Sequence, residues 1–236
     1  TLGKDPLEVR KLNLYKDPAI SGTPDTMTTQ YNQLIEDWVG DKVMDQVEAQ
    51  AQYGQRRAQV QAFNAVNTRR KRGLALVPLK FGISFTATHL NQGGALLVIY
   101  MDGSVSVNHG GTEMGQGLNT KMAQVCADGL GITVDKVRIT ATDSQKVPNA
   151  SATSASSGAD INGAAIMNAT AQMRERLKPV AARMLGCAEG EVTFANNEVH
   201  GGGKSVKWAD VTKQAWLDRV GLSVTGFYMT PEIKYD

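Results

Sequence analysis

The stretch from Ala95 to Leu130 constrains the fold most, because it changes periodicity twice within a few residues. Ala95 to Met101 is an apolar run, and Asp102-Gly103 is a two-residue hairpin signal. Val105 and Val107 then alternate with Ser104, Ser106 and Asn108, as a half-buried strand requires. Next comes a loop, His109 to Gly117, with four glycines in nine residues. Leu118 to Leu130 follows as a helix, with Leu118, Met122, Val125 and Leu130 on one face. Strand, turn, strand, glycine loop and helix are thereby predicted in order.

The flanking sequence supplies further elements. Asp5 suits the cap of a helix that starts at Pro6, with Glu8 at its positive end. Tyr15 to Met27 carries Pro18, Gly22 and Pro24 and reads as a connection. Met27 to Arg70 has apolar residues at Ile35, Trp38, Val43, Val47, Val60, Phe63 and Val66, the pattern of one or two amphipathic helices. Leu74 to Phe85 reads as a strand, Val137 to Thr140 as a short strand, and Asn162 to Leu185 as a long helix that Pro179 kinks or ends. The tail reads as a hairpin around Asn196-Asn197, a short helix started by Ser205, and a strand at Leu222 to Thr225. Strands and helices mix without a regular alternation, which places the chain in the α+β class. Residues 1–72 read as a helical segment, and 73–236 as a domain incomplete at its C-terminus.

Composition narrows the function classes. With 42% hydrophobic and 20% charged residues among 236, a packed core is expected. The net charge of +2 is too small to imply nucleic acid or an anionic membrane as the main partner. No apolar run reaches the roughly 18 residues of a membrane span. Thr1 to Pro6 lacks the apolar segment of a signal peptide. Cys126 and Cys187 are the only cysteines and form neither a disulfide framework nor a metal-ligand spacing, so the reading is a reduced, cytoplasmic protein. Arg69 to Arg72 is the one basic cluster, and it reads as cations facing the negative end of a long helix. Thr1 opens the chain in place of Met, and residues 226–231 run out of a strand, so the chain reads as a piece of a larger protein.

Two loops carry the chemistry. Glycine in His109 to Gly117 lets the backbone approach a ligand, and the helix start that follows offers N–H groups and a dipole to an anion. The loop has no Lys or Arg and is not a Walker-type phosphate loop. As a bare pattern, without further signals, it reads as a turn with no ligand. Val147 to Asp160 is filled with small and hydroxyl residues, carries no charge before Asp160, and also precedes a long helix. It reads either as a Ser/Thr-rich linker or as a second neutral anion cradle. Two such helix starts can converge on one ligand rich in acceptors, such as a phosphorylated heterocycle.

These two segments resemble the molybdopterin-binding loops of the xanthine dehydrogenase and aldehyde oxidase family. The resemblance extends through Lys80-Phe81-Gly82-Ile83-Ser84-Phe85-Thr86, Leu90-Asn91-Gln92-Gly93-Gly94-Ala95, Tyr100-Met101-Asp102-Gly103-Ser104-Val105 and Thr225-Gly226-Phe227-Tyr228, and covers nearly the whole chain. It implies that 1–72 connects two cofactor-binding halves and that 73–236 is the second. It implies cofactor contacts from Met114, Gly115 and Gln116, and from Thr153, Ala155, Ser156 and Ser157. Phe85 matches one of two phenylalanines that sandwich a purine ring, with Thr86 beside it and Ser154 and Ala155 at the pocket, although on pattern alone Phe85 reads as a core strand residue. Gly158 stands where animal relatives carry serine.

The implied reaction is hydroxylation of an aromatic carbon with oxygen from water, taking hypoxanthine or xanthine to urate. The implied cofactor is molybdenum-molybdopterin, with 2Fe-2S, FAD and NAD carried by other domains or subunits of an oligomeric enzyme. No protein ligand to the metal is implied, so His89, His109 and His200 are not metal ligands in this reading. No catalytic base is expected within the chain, and Glu113 is expected to be structural. The alternatives are an aldehyde oxidase or other N-heterocycle hydroxylase of the same family, or an inert scaffold fragment.

Overall fold

The computed structural model describes residues 3–16, 27–29, 33–146, 150–231 and 233. The chain forms two compact units, residues 1–81 with 234–236, and residues 82–233.

In the first unit, helix α1 (Pro6–Leu12) begins as its sequence predicts. Asp5 Oδ1 accepts the Leu7 N–H at 2.7 Å, and Pro6 takes the first helical position. Helices α2 (Gly40–Gln50) and α3 (Tyr53–Val66) fill the expected amphipathic region. Their core is small: Leu7, Met44 and Tyr53, with Leu14, Leu74 and Leu76 packed on it. Val43, Val47 and Val66, expected on a buried face, are exposed. Ion pairs supplement the core, with Lys11 Nζ on Asp45 at 2.6 Å and Arg57 Nε on Asp5 at 2.7 Å. The basic cluster serves the end of α3. Lys71 Nζ donates to the Asn64 carbonyl, and the Arg72 guanidinium lies 3.9 Å from the centre of the Phe63 ring.

The expected strand at Leu74 to Phe85 does not form, since residues 70–83 belong to no helix or strand. Its apolar, β-favouring composition provides side chains for pairing, but among the described residues no strand pairs with it. Leu79 is 90% exposed, and Val77 and Phe81 are also open to solvent. The expected connection Tyr15 to Met27 lies mostly outside the described residues.

The second unit is built on a four-stranded sheet of order β3 (Val137–Ile139), β2 (Val105–His109), β1 (Gln92–Ile99), β7 (Ser223–Met229). β1 pairs antiparallel with both β2 and β7, whereas β2 and β3 run parallel. Ala95, Leu97 and Ile99 alternate inward along β1, the period of a half-buried strand. The hairpin at Asp102-Gly103 forms with three loop residues rather than two. The Gly103 N–H bonds the Tyr100 carbonyl at 2.9 Å, and Gly103 itself adopts φ +85. Asp102 Oδ1 accepts from the Ser104 N–H at 2.9 Å, which closes the turn one residue wider.

One face of the sheet packs on helices α4 (Leu118–Leu130) and α5 (Gly158–Leu185). Leu118, Met122, Ile166, Met173 and Leu177 are buried there. The α5–β7 contact is close: a Cβ on Gly226 would lie 2.0 Å from the Ala165 carbonyl oxygen. α5 runs unbroken through Pro179 and starts earlier than its apolar period suggested, at Gly158. Loss of one N–H to a proline is outweighed by the buried surface on either side, which includes Leu177, Val180 and Ala181.

A second sheet, β4 (Thr193–Ala195), β5 (Glu198–Gly201) and β6 (Lys204–Lys207), completes the unit. Asn196 and Asn197, at φ +54 and +63, make the expected hairpin turn. Ser205 does not start a helix. It pairs with His200 in β6, and α6 (Trp208–Leu217) begins three residues later. Trp208 is buried and donates its indole N–H to the Gly103 carbonyl at 2.8 Å, tying α6 to the first hairpin. No described helix is long and apolar enough to cross a membrane.

Candidate functional site

The glycine loop leaves β2 at His109 and enters α4 at Leu118. Its four glycines have two different uses. A Cβ on Gly110 would meet the Cβ of Ala150 at 2.1 Å, and one on Gly111 would meet Leu118 Cδ2 at 2.5 Å, so these two are required for space. Gly115 and Gly117, at φ +95 and +76, are required for conformation.

Inside the loop, Glu113 takes the place of an external anion. Its Oε1 accepts from the N–H groups of Gly115 at 2.8 Å and Gly117 at 3.1 Å, and its Oε2 accepts from Asn119 at 2.9 Å. These bonds, that of Asn119 foremost, hold its carboxyl below the usual range. The start of α4 is therefore occupied from within, contrary to the expectation of an open cradle there. A structural role for Glu113 is what its position suggested. Gln116 is engaged as well: its Oε1 accepts the Met114 N–H at 2.6 Å and its Nε2 donates to the Thr112 carbonyl at 2.9 Å. One amide hydrogen and one lone pair of Gln116 remain for a ligand.

The second loop is described from Ala150 onward, and Val147, Pro148 and Asn149 lie outside the described residues. It is joined to the first by the Thr112 N–H, which donates to Thr153 Oγ1 at 2.8 Å. Ala155 and Ser156 both adopt φ +53, a left-handed pair that turns the chain into α5. No side chain caps α5, and the N–H groups of Gly158, Ala159 and Asp160 have no acceptor among the described residues. This helix start, unlike that of α4, is open to an anion.

Between the loops lies a cleft of about 370 Å³, lined by Met114, Gln116, Thr153, Ser154, Ala155 and Ser156 together with Leu118, Lys121, Gly158 and Ala159. Six of the residues expected at the site thus share one wall. Gly115 does not line the cleft. Ser157 is buried, and its hydroxyl donates to the Ser154 carbonyl at 3.2 Å. Phe85 and Thr86 also lie outside the lining, yet their segment is tied to the second loop, because the neighbouring Ser84 N–H donates to the Ala155 carbonyl at 3.0 Å. Asn91, 1% exposed, clamps Phe85 from both sides: its Oδ1 accepts the Phe85 N–H at 2.7 Å, and its Nδ2 donates to the Phe85 carbonyl at 2.8 Å.

Sequence reasoning did not single out Asn91 or Lys121. The signal for Lys121 is its place one turn into α4, where a cation faces the cleft although the loop itself has none. Two larger depressions, of about 460 and 510 Å³, lie at the small sheet and between α5 and α6. Of the cations lining them, Lys204 is engaged by the Leu185 carbonyl at 3.3 Å and Arg183 by Asp218. Among the described residues no cluster of His, Cys, Asp and Glu could hold a metal ion. The donor set therefore suits a ligand that brings its own anion and acceptors. Uncapped N–H groups, hydroxyls, a side-chain amide and Lys121 face the cleft, while the nearby carboxylate of Glu113 is spent within the loop.

Comparison with known proteins agrees with that chemistry. Residues 46–236 match the family model of the molybdopterin cofactor-binding domain. The chain is 42% identical over 234 residues to a xanthine dehydrogenase of Drosophila subobscura, covering 99% of this chain and 15% of the relative. It is also 42% identical over 237 residues to a nicotinate hydroxylase of Emericella nidulans, covering 100% of this chain and 16% of that one. The fold is shared with quinoline 2-oxidoreductase from Pseudomonas putida 86 at a TM-score of 0.73 and 23% identity, over 98% of this chain and 31% of that one. The chain thus spans about 15% of the length of the curated relatives it matches. By the match across most of its length, the chain belongs to the molybdopterin cofactor-binding domain family.

Proposed function

We propose that this chain is the part of a molybdenum hydroxylase that seats the molybdopterin cofactor and lines one wall of the substrate pocket. The observation that carries the reading is the junction of the two loops, Thr112 N–H on Thr153 Oγ1 at 2.8 Å, beside an α5 start whose first N–H groups have no acceptor among the described residues. The phosphate of the cofactor would be held by the N–H groups of residues 158–160, the Ser156 hydroxyl and Lys121. Its heterocycle would be held by Met114, Gln116 and Thr153. When bound, the cofactor supplies the chemistry that hydroxylates a carbon with oxygen from water. The chain's own part is to bind, to orient and to wall the site. Phe85, fixed by Asn91, would present an aromatic face to a flat heterocycle, and Thr86, Ser154 and Ala155 would border it.

In the whole enzyme the substrate would be a purine, hypoxanthine or xanthine, with urate as product. Iron–sulfur and FAD domains or subunits, NAD and a general base would come from outside this chain, in an oligomeric cytoplasmic enzyme. Residues 1–72 would connect the two cofactor-binding halves. The equal identity to a nicotinate hydroxylase favours one second reading, hydroxylation of another N-heterocycle. The test is turnover of the full-length enzyme with xanthine, nicotinate and an aromatic aldehyde, alongside its molybdenum content. Xanthine should be preferred, and Phe85→Ala should raise its KM or lower kcat while leaving the metal in place. Preference for nicotinate would select the second reading, and loss of molybdenum in Phe85→Ala would remove Phe85 from the substrate wall.

A further inference from the structure

His109 is 1% exposed and sits at the root of the glycine loop, yet no step of the proposed function uses it. Its Nδ1 lies 3.1 Å from the Gly111 nitrogen, and its Nε2 lies 3.1 Å from Asn119 Oδ1. A backbone N–H can only donate, so Nδ1 must be unprotonated, and the ring proton sits on Nε2, where it donates to Asn119. The Gly111 carbonyl is held too, by the Thr142 hydroxyl at 2.7 Å. Gly111 is closely packed on its open side, where a Cβ would lie 2.5 Å from Leu118 Cδ2 and 2.8 Å from Asn162 Nδ2. From this clamped residue the chain passes to Thr112, whose N–H reaches the second loop and whose carbonyl holds Gln116.

We infer that His109 is the positioning residue of the cofactor loop, and that the loop keeps its shape only while this imidazole is neutral. A second proton would turn Nδ1 into a donor facing the Gly111 N–H, and the bond that roots the loop would be lost. Burial pushes the His109 pKa below its ordinary 6.5, against the Asn119 bond and the Glu113 carboxylate, which both favour the charged ring. Glu113 is the charged group that acts on the ring among the described residues. Ala95 opposite it on β1, Asn119 on α4 and Thr142 beside its carbonyl are neutral. The Glu113 carboxyl is itself held below its ordinary 4.5 by the loop N–H groups, that of Asn119 foremost. The inference rests on the proposed cofactor site for its consequence, loss of the pterin in acid, but not for its structural content.

The test uses the full-length protein between about pH 5 and pH 8. Asparagine at this position can accept the Gly111 N–H through Oδ1 and cannot titrate. Wild type should show acid-triggered loss of pterin and, with intrinsic rates corrected, on the order of tenfold faster amide exchange in residues 110–117. His109→Asn should abolish both transitions, and His109→Phe should exchange fast at every pH. An unchanged acid transition in His109→Asn overturns the inference, as does a protected loop in His109→Phe. Should His109→Phe not fold, His109→Asn decides alone. If the wild-type protein holds no pterin at any pH, the proposed cofactor site fails, while amide exchange still judges His109.

Discussion

Gly110→Ala tests whether the two loops meet where the structure joins them. The added Cβ would lie 2.1 Å from the Cβ of Ala150, and the next neighbours are the Ala150 Cα at 3.4 Å and Asn162 Oδ1 at 3.7 Å. Carbon atoms pack at about 3.5–4.0 Å, so the loops must part by roughly 1.5 Å. Overpacking of this kind costs about 1–3 kcal/mol. The lower part of that range is expected, because Ala150 is exposed and its segment can yield. A loss of about 1–2 kcal/mol corresponds to roughly 5–30-fold faster local opening, readable as amide exchange in residues 110–117 and 150–158. The clash involves one methyl group, so Ala150→Gly should relieve it. Alone, that change costs about 0.5–1 kcal/mol through chain entropy. Combined with Gly110→Ala it should recover most of the lost protection, a favourable coupling of about 1 kcal/mol. Pterin content should follow the same order: low in Gly110→Ala and restored in the pair. Strict additivity of the two substitutions would refute the contact, and with it the argument that Gly110 is glycine for want of space.

Other perturbations probe the rest of the framework. Trp208→Phe leaves the Gly103 carbonyl without its 2.8 Å indole donor in a buried setting, and should cost about 1–3 kcal/mol in chemical denaturation; no loss would mean the hairpin does not depend on α6. Glu113→Gln should speed amide exchange at residues 115–119, because one of the two carboxylate oxygens becomes an NH₂ that cannot accept. In the wild type the same loosening should appear only in acid. The depressed pKa of Glu113 means that its stabilisation is fully present above 4.5 and is lost as pH falls through the lower folded value. Loosening of that segment near neutrality, in a variant such as His109→Asn that lacks the histidine titration, would contradict this. The Cys126 thiol is pushed up to about 12 by burial, so at pH 8 it should resist iodoacetamide in the folded protein while half-buried Cys187 is labelled first. Mass spectrometry of early time points decides between them.

Much of this fold was legible because its strongest signals are local. The Asp102-Gly103 and Asn196-Asn197 turns, the α4 stripe and the Asp5 cap each depend on residues within a few positions of one another, and each formed. What sequence reading misjudged depended on distant partners. Residues 74–85 have strand composition, but a strand exists only where another pairs with it. Ser205 suits a helix start, yet the His200 register of β6 claims it first. Pro179 ends helices in isolation but not one that buries Leu177 and Val180 on either side. At the site, pattern alone reached the two loops, and resemblance to a family supplied the roles of individual residues. The supporting shell of His109, Thr142, Asn91 and Asn119 was invisible to both, because its meaning lies in hydrogen bonds between segments up to 33 residues apart.

That shell explains why the two helix starts, alike in sequence texture, differ in use. A glycine-rich loop is costly to order, since glycine surrenders the most backbone freedom on folding. The loop before α4 offsets this with bonds of its own: Glu113 on three N–H groups, Gln116 across Met114 and Thr112, and His109 on Gly111. It is therefore shaped before any ligand arrives, at the expense of its capacity to bind an anion. The loop before α5 makes the opposite choice, leaving its helix N–H groups open and turning through Ala155 and Ser156 in left-handed conformations that cost of order 1 kcal/mol each. An anion seated there would help to hold that strained turn in place. In this arrangement one loop is pre-organised and the other would be completed by the proposed cofactor, so removal of that cofactor should loosen residues 150–158 far more than 110–117. Equal loosening of both on cofactor removal would mean that Glu113 does not stand in for an anion at all.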